Sequence, residues 1–563
     1  MTPQKRNGYI FLAILVSAIG LRFLNLTKFD LQNDPAAYAF RSFGWLDYLS
    51  GVGQTSPLVW FKTLPWWAQL SFHDAPPLTF VIQHISFLIF GNNIIAALLP
   101  YILANLVIIY LLYLLLKKIG QEKMGLIAAG IFAISSYTIW MSRTGYLEGM
   151  ETLFITLSIY AFLIFLQNQK TRYLYFWGLA VGLALLSKYT AIFIIPTTFF
   201  YLLIWQRPTL KNKHFWLSCL LIAIILTPVI IYNIMVFKAR GHFDAALSSM
   251  LGMKPADFST LSGRGLNANL FTNLVDVLRS LMDSISLPLS ILYLSALVHS
   301  FWRAIKKQST PLNNFLRVNI VLILLMFTFS GGTARFLLII TPFLAILSSQ
   351  AILYWWECFA VTKNKQKIFI AILTLVAAFE LFFSLNTNIL AKPLINNNLF
   401  YSPDRFYNNG FNDLDKFLRQ DVLGKLPAKR KISNLKDVQE FYLESQDVVL
   451  VDERLDWFSR LWYINKYIFY YHSPLFYFND VLTATASSNL SMVQYLRDVG
   501  AQGIWFVFST DQGAVANQAD KGYAAKMANY QKQLESTGLK PKYEIKNYAD
   551  QVVMKIYYLP DNN

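Results

Sequence analysis

FDLQNDPAAYAFRSFGWLDYL, residues 29–49, and HDAPPLTFVIQHISFLIFG, residues 73–91, mark the two ends of a polar loop, 25–79, that follows one greasy helix. Beyond it, up to about Ala391, apolar spans return the chain repeatedly to one membrane face. The loop holds four Asp residues and a His that reads as exposed. Long loops inside compact architectures are usually functional. Residues 25–79 are therefore the candidate active-site segment.

The composition agrees with a membrane setting. Of 563 residues, 55% are hydrophobic, 16% aromatic and only 14% charged, with a mean hydropathy of +0.40. A soluble protein carries about a quarter charged residues. Cys219 and Cys358 fall in or beside apolar spans and read as small apolar fillers rather than a disulfide or a metal site. MTPQKR followed by the apolar run Tyr9–Leu24 lacks a small-residue cleavage site and reads as a retained first span.

A bilayer crossing takes roughly 17–25 apolar residues. Eleven spans are expected, at about 8–24, 93–116, 124–141, 148–167, 174–189, 190–205, 214–236, 281–302, 316–333, 335–356 and 367–390. With a cytoplasmic N-terminus, the inside segments carry seventeen Lys and Arg against two acids, Glu122 and Glu357. That is the positive-inside pattern. The net charge of +17 is thus mostly topogenic, and a nucleic-acid partner is unnecessary. On this orientation the 25–79 loop, the Ser142–Glu148 turn, Lys188, the 237–280 loop and Arg335 share the outer face. So does everything after Ala391.

After Ala391 the charges balance and the segments shorten. Helices are expected at 411–423, 455–471, 489–499 and 514–537, and strands at 448–452, 503–508, 542–547 and 551–558. Alternating strands and helices indicate an α/β domain with a partly parallel sheet. About 170 residues suffice for its own core. The expected organisation is a polytopic α-helical membrane domain, 1–391, and an extracytoplasmic soluble α/β domain, 392–563. Neither SSNLSM nor STDQGA has the pattern of a phosphate loop.

Each candidate residue has a plain structural reading and a chemical one. Asp34-Pro35 suits an N-cap followed by a first helical residue. Asp34 at a membrane boundary also suits a general base, because desolvation makes a carboxylate a better proton acceptor near neutral pH. His73-Asp74 before Pro76-Pro77 makes a rigid turn, or the mouth of a phosphate or sugar site. Glu148 and Glu151, three apart, share one helical face. They either cap a helix and pair with Arg143, or act as boundary acids, which default to functional candidates. Lys188 and Arg335 are lone cations in apolar runs, and either snorkel to the interface or bind a lipid phosphate. A zinc site needs three or four clustered ligands. Only His73, His84 and nearby acids are at hand, so metal is weakly supported.

The order of these motifs resembles the glycosyltransferase C superfamily. They are an Asp after the first span, H-x-x-P-P-L (His73 to Leu78) with a helix ending at Phe90-Gly91, S-R-x-x-x-L-E (Ser142 to Glu148), G-L-A-L-L-S-K (Gly182 to Lys188) and A-R-F-L-L-x-x-x-P (Ala334 to Pro342). The branch it looks like is that of protein O-mannosyltransferase-like enzymes, including lipid A aminoarabinose transferases, and the likeness covers roughly 8–345. It implies transfer of a sugar from a polyprenyl-phosphate donor to an envelope lipid, glycan or protein, at the outer face of a bacterial cytoplasmic membrane. No cofactor is strictly required. By similarity Asp34 and Glu148 match catalytic acids, and Lys188 and Arg335 match donor-phosphate cations. His73, Asp74, Arg143 and Tyr38 are substrate-binding candidates. Pro35 stands where many members carry a second acid, which bears on metal or acceptor binding. The competing readings are a transporter or lipid flippase, for which no internal repeat is found, and an inactive scaffold.

Overall fold

The computed structural model describes residues 2–49, 55–258, 269–359, 361–397, 399–402, 405, 408–439, 446–486, 491–510 and 521–561. The chain packs as two compact units, one of 1–26 with 66–405 and the other of 27–65 with 406–563. The boundary expected at Ala391 therefore differs from the packing. Residues 27–65 of the first loop belong with the C-terminal unit.

The first unit is a helical bundle with apolar flanks fit for lipid. Among the described residues six helices are long and apolar enough to cross a membrane, or eight if two bent pairs each count as one span. The expected eleven are not reproduced. Glu122–Ile134 and Ser136–Ser142 are bent by 62°, and Lys213–Ile225 and Thr227–Arg240 by 52°. Arg172–Ser187 and Tyr189–Trp205 are shorter than a full crossing. Cys219 and Cys358 are free thiols; Cys219 is half-buried, whereas Cys358 is exposed rather than filling an apolar gap.

The first bend shapes the site. Backbone groups freed inside a membrane must find partners within the protein, and polar side chains supply them here. Glu380 accepts from Ser136 N, and Asn388 Nδ2 donates to Ser136 O at 2.8 Å. Arg22 Nη1 donates to Ala133 O at 3.0 Å, and Thr138 Oγ1 to Phe132 O at 2.6 Å. Farther along, Arg172–Ser187 approaches Lys213–Ile225 through Gly178 and Gly182, four residues apart. A Cβ on Gly178 would lie 2.6 Å from Ser218 O, and one on Gly182 2.8 Å from Ile225 Cδ1. Such small-residue seams let membrane helices pack backbone to backbone.

The second unit carries a five-stranded sheet of β1 (Gln446–Val451), β2 (Leu475–Tyr477), β3 (Ala501–Ser509), β4 (Tyr543–Lys546) and β5 (Val552–Leu559), in the order β2-β1-β3-β5-β4. β1 runs parallel to β2 and β3, while β3-β5 and β5-β4 are antiparallel. The mixed sheet is as expected. The expected helix at 411–423 forms and ends in a π-helical stretch, Leu418–Leu423, and that at 455–471 forms from Trp457 with a π-helical stretch, Leu461–Asn465, inside it. β2 and the helix Phe478–Thr485 were not foreseen, and residues 514–520 of one expected helix lie outside the described residues. Phe478, Met492, Leu496, Phe506 and Met527 form the core on one sheet face.

Residues 27–49 are built into this unit. The helix Asn33–Gly44 packs against Trp457–Asn465. Tyr470 Oη donates to Phe40 O at 2.8 Å, and Lys429 Nζ to Phe43 O at 2.7 Å. Arg41 and Asp47 form a buried ion pair at 2.7 Å.

Asp30 is the deepest tie. Its carboxylate accepts from the backbone N–H of Asn409 at 2.6 Å, Asn412 at 2.8 Å and Phe411 at 3.3 Å. Burial outweighs these three donors and lifts its carboxyl to about 6. A carboxyl raised on folding stabilises fully below its unfolded value near 4, and that contribution is lost as pH rises through 6. The change is about 3 kcal/mol. Amide exchange at 409, 411 and 412, corrected for intrinsic rates, is expected to be slower at pH 5 than at pH 7. Asp30→Asn should flatten that difference; an unchanged profile would show that Asp30 does not control the tie.

Candidate active site

Three interruptions of regular helix bring one acid and two cations together in the first unit. Gly145, at φ +87°, permits the turn that delivers Glu148 as the first residue of Glu148–Asn168. Lys188 follows Ser187 in extended conformation, its N–H still bonded to Ala184 O. Arg335 opens the tight turn Ala334–Ile340, just after Gly331-Gly332 ends the preceding helix.

Glu148 Oε1 is ion-paired with Lys188 Nζ and lies 3.8 Å from Arg335 Nε. The Phe336 ring serves both cations, with Lys188 Nζ 3.8 Å and the Arg335 guanidinium 5.1 Å from its centroid. Arg335 also lies 5.1 Å from the Tyr146 ring. The Glu148 side chain is 2% exposed, whereas Lys188 is 17% and Arg335 22% exposed. The carboxylate is thus sunk beneath two cations that keep some open surface. Such an arrangement can receive an oxyanion on the cations while Glu148 holds them in place. Glu151 shares the Glu148 face, as its spacing required, and accepts from Thr190 Oγ1 at 2.6 Å.

Asp34 and Tyr38 lie in the second unit. Asp34 is not the N-cap its sequence suggested, since Gln32 takes that position and Asp34 falls in the first turn. Tyr38 Oη donates to Asp34 Oδ2 at 3.3 Å, one turn on, and both side chains are half-buried. The phenol is thus one of the groups that orient the Asp34 carboxylate.

The remaining candidates occupy different settings in the first unit. Arg143 donates to Arg22 O at 2.9 Å and Leu24 O at 2.8 Å, binding the last carbonyls of Pro3–Phe23. This is a structural tie at a helix C-terminus, and no Arg143–Glu148 ion pair forms among the described residues. His73 is buried rather than exposed. Its ring faces Phe258 at 5.9 Å, and its carbonyl accepts from Ala245 N at 2.7 Å. Asp74 is half-buried beside it.

Two groups that sequence reasoning passed over frame this region. Asp244 is buried and accepts from Tyr189 Oη at 2.7 Å, Asn233 Nδ2 at 2.8 Å and Leu247 N at 2.8 Å. Burial pushes its carboxyl up. Tyr189 adjoins Lys188, so this network anchors the segment bearing the cation. Arg22 is fully buried near the end of the first helix, with Nε donating to Asn105 Oδ1 at 2.8 Å. Only its place inside an apolar run marked it.

Residues 74–232 match the family model described as dolichyl-phosphate-mannose-protein mannosyltransferase. A Bacillus subtilis (strain 168) protein named as a provisional mannosyltransferase, YkcB, is 29% identical over 141 residues, which are 25% of this chain and 20% of that protein. The matched stretch therefore spans about a fifth of that relative. The apo structure of ArnT from Cupriavidus metallidurans superposes with a TM-score of 0.54 at 12% identity, covering 98% of each chain. The same protein bound to undecaprenyl phosphate gives 0.52 at 13% identity, again with 98% of each chain covered. The chain shares the fold of ArnT: apolar helices with a small sheet in the C-terminal region.

Proposed function

We propose that the chain is an integral-membrane glycosyltransferase that moves a sugar, a hexose in the first instance, from a polyprenyl-phosphate donor to a hydroxyl-bearing acceptor at the extracytoplasmic face. The observation that carries this reading is the Glu148–Lys188–Arg335 cluster, a pair of cations held by a buried carboxylate. The mannosyltransferase family match includes Glu148 and Lys188. ArnT, whose fold this chain shares, has been solved with undecaprenyl phosphate.

In the proposed reaction, Asp34 takes the proton of the acceptor hydroxyl. The acceptor oxygen forms a bond to the anomeric carbon as the bond from that carbon to the phosphate oxygen breaks. The electron pair leaves on the polyprenyl phosphate, where Lys188 and Arg335 stabilise the growing charge. Glu148 acts as a positioning residue that fixes both cations before the donor arrives. Pro35, in place of a second acid, leaves one carboxylate for proton transfer.

The test supplies purified full-length protein in bilayer discs with prenyl-phosphate hexoses and follows release of prenyl phosphate. Release that depends on an acceptor and falls by about 100-fold in Arg335→Ala is expected, as for loss of one preorganised donor to an oxyanion. Absence of release with every donor, from protein shown to be folded, would overturn the reading.

A further inference from the structure

In the parallel part of the sheet the chain runs from β1 out to β2 on one side and then to β3 on the other. Where strand order reverses in this way, open α/β sheets hold ligands outside the carboxyl ends of the strands. Residues after β1, at the end of β2 and on the helix Lys521–Ser536 come together there. Asp452 directly follows β1 and is buried, accepting from Arg454 Nε at 2.8 Å and Ser509 N at 3.1 Å, which clamps the ends of β1 and β3 together. Glu453 and Arg460 follow β1, Tyr477 and Asp480 stand where β2 enters its helix, and Tyr523 opens Lys521–Ser536 after β3.

The charged groups at this edge are near one another but not paired. Glu453 and Asp480 both feel Arg460 electrostatically, yet neither forms an ion pair with it within 4.0 Å among the described residues. The Arg460 guanidinium lies 4.9 Å from the Tyr477 ring centroid, and its buried Nε has no hydrogen-bond partner among the described residues. Tyr523 Oη accepts from Glu453 N at 3.1 Å, which aims the phenol at this corner. Among the described groups two carboxyls flank a single cation, a setting that disfavours phosphates and acidic lipids. Donors, acceptors and an aromatic face together suit the hydroxyls and C–H surface of a sugar ring.

We propose that the carboxyl edge of β2-β1-β3 binds an uncharged pyranose, the glycan end of the acceptor, through Glu453, Arg460, Asp480 and Tyr523. The sugar-binding assignment stands on this geometry alone; its identification with the acceptor rests on the proposed glycosyltransferase function. Burial holds the Glu453 carboxyl up at about 7 against the pull of Arg460, so near neutrality it can either accept or donate to a hydroxyl. Trp457–Asn465, which bears Arg460, packs on the Asn33–Gly44 helix that bears Asp34. A sugar bound at this edge is thereby tied, through one helix contact, to the proposed base.

The test uses full-length Asp34→Asn protein in bilayer discs, so that binding is read without turnover. Saturation-transfer NMR with methyl α-mannopyranoside and methyl β-glucopyranoside should give millimolar binding. Methyl β-glucuronide and inorganic phosphate, the anionic probes, should not compete at equal concentration. Glu453→Gln and Arg460→Lys should each weaken the neutral glycosides about tenfold, the loss of one charge-assisted hydrogen bond. Arg460→Lys keeps the charge and stem, which guards against misfolding. No glycoside signal, or a signal unchanged in both variants, would overturn the inference while leaving the transferase assay to decide the proposed function separately. Transfer absent with glycoside binding intact would do the reverse.

Discussion

Asp34→Asn is expected to reduce sugar transfer by about 10³-fold or more, the upper part of the range for losing a positioned general base. The substitution is nearly isosteric, and an amide oxygen can still accept from Tyr38 Oη, as the carboxylate does at 3.3 Å. Folding should therefore be preserved, with the loss confined to kcat and donor affinity unchanged. Asp34→Glu should recover part of the rate, because it restores the proton acceptor in a displaced position. The check is single-turnover transfer from a prenyl-phosphate sugar beside equilibrium donor binding. A fall in donor affinity matching the fall in rate would move Asp34 out of proton transfer and into substrate binding.

The second large effect is expected at Glu148. Replacing it with Gln leaves Lys188 and Arg335 facing each other without the carboxylate now paired with one and 3.8 Å from the other. Breaking a buried ion pair from one side costs about 3–5 kcal/mol. Partial exposure of the two cations brings the expectation to the lower end, about 3 kcal/mol. The thermal midpoint in detergent should fall accordingly. The Glu148→Gln/Lys188→Met double variant should regain much of the loss, because one of the two unbalanced charges is gone. Transfer should stay low in both. A Glu148→Gln protein that unfolds like the parent but has lost activity would assign Glu148 to the chemistry itself rather than to holding cations.

These two experiments separate the roles that the sequence alone placed under one heading. Asp34 and Glu148 both read as acids at a membrane boundary. Their surroundings differ: Asp34 is half-buried with a phenol, and Glu148 is buried with two cations. The second setting commits Glu148 to ion pairing, which is why the two substitutions are expected to fail in different measurements.

The membrane class, the motif order from Asp34 to Arg335 and the α/β character after Ala391 were legible from residues alone, because hydropathy and strand–helix alternation are local patterns. Span number was less legible, since a hydropathy run does not reveal that it bends at Ser135 or that Glu380 accepts the freed Ser136 N–H from 244 residues away. β2 escaped notice because a three-residue strand has almost no periodicity of its own and exists through its pairing with β1. Tertiary structure alone decided that residues 27–65 pack with the C-terminal unit, that His73 is buried against Phe258, and that Arg143 binds the carbonyls ending the first helix. Each outcome depends on partners distant in sequence, and burial of a charge or a ring is favourable only once those partners are in place.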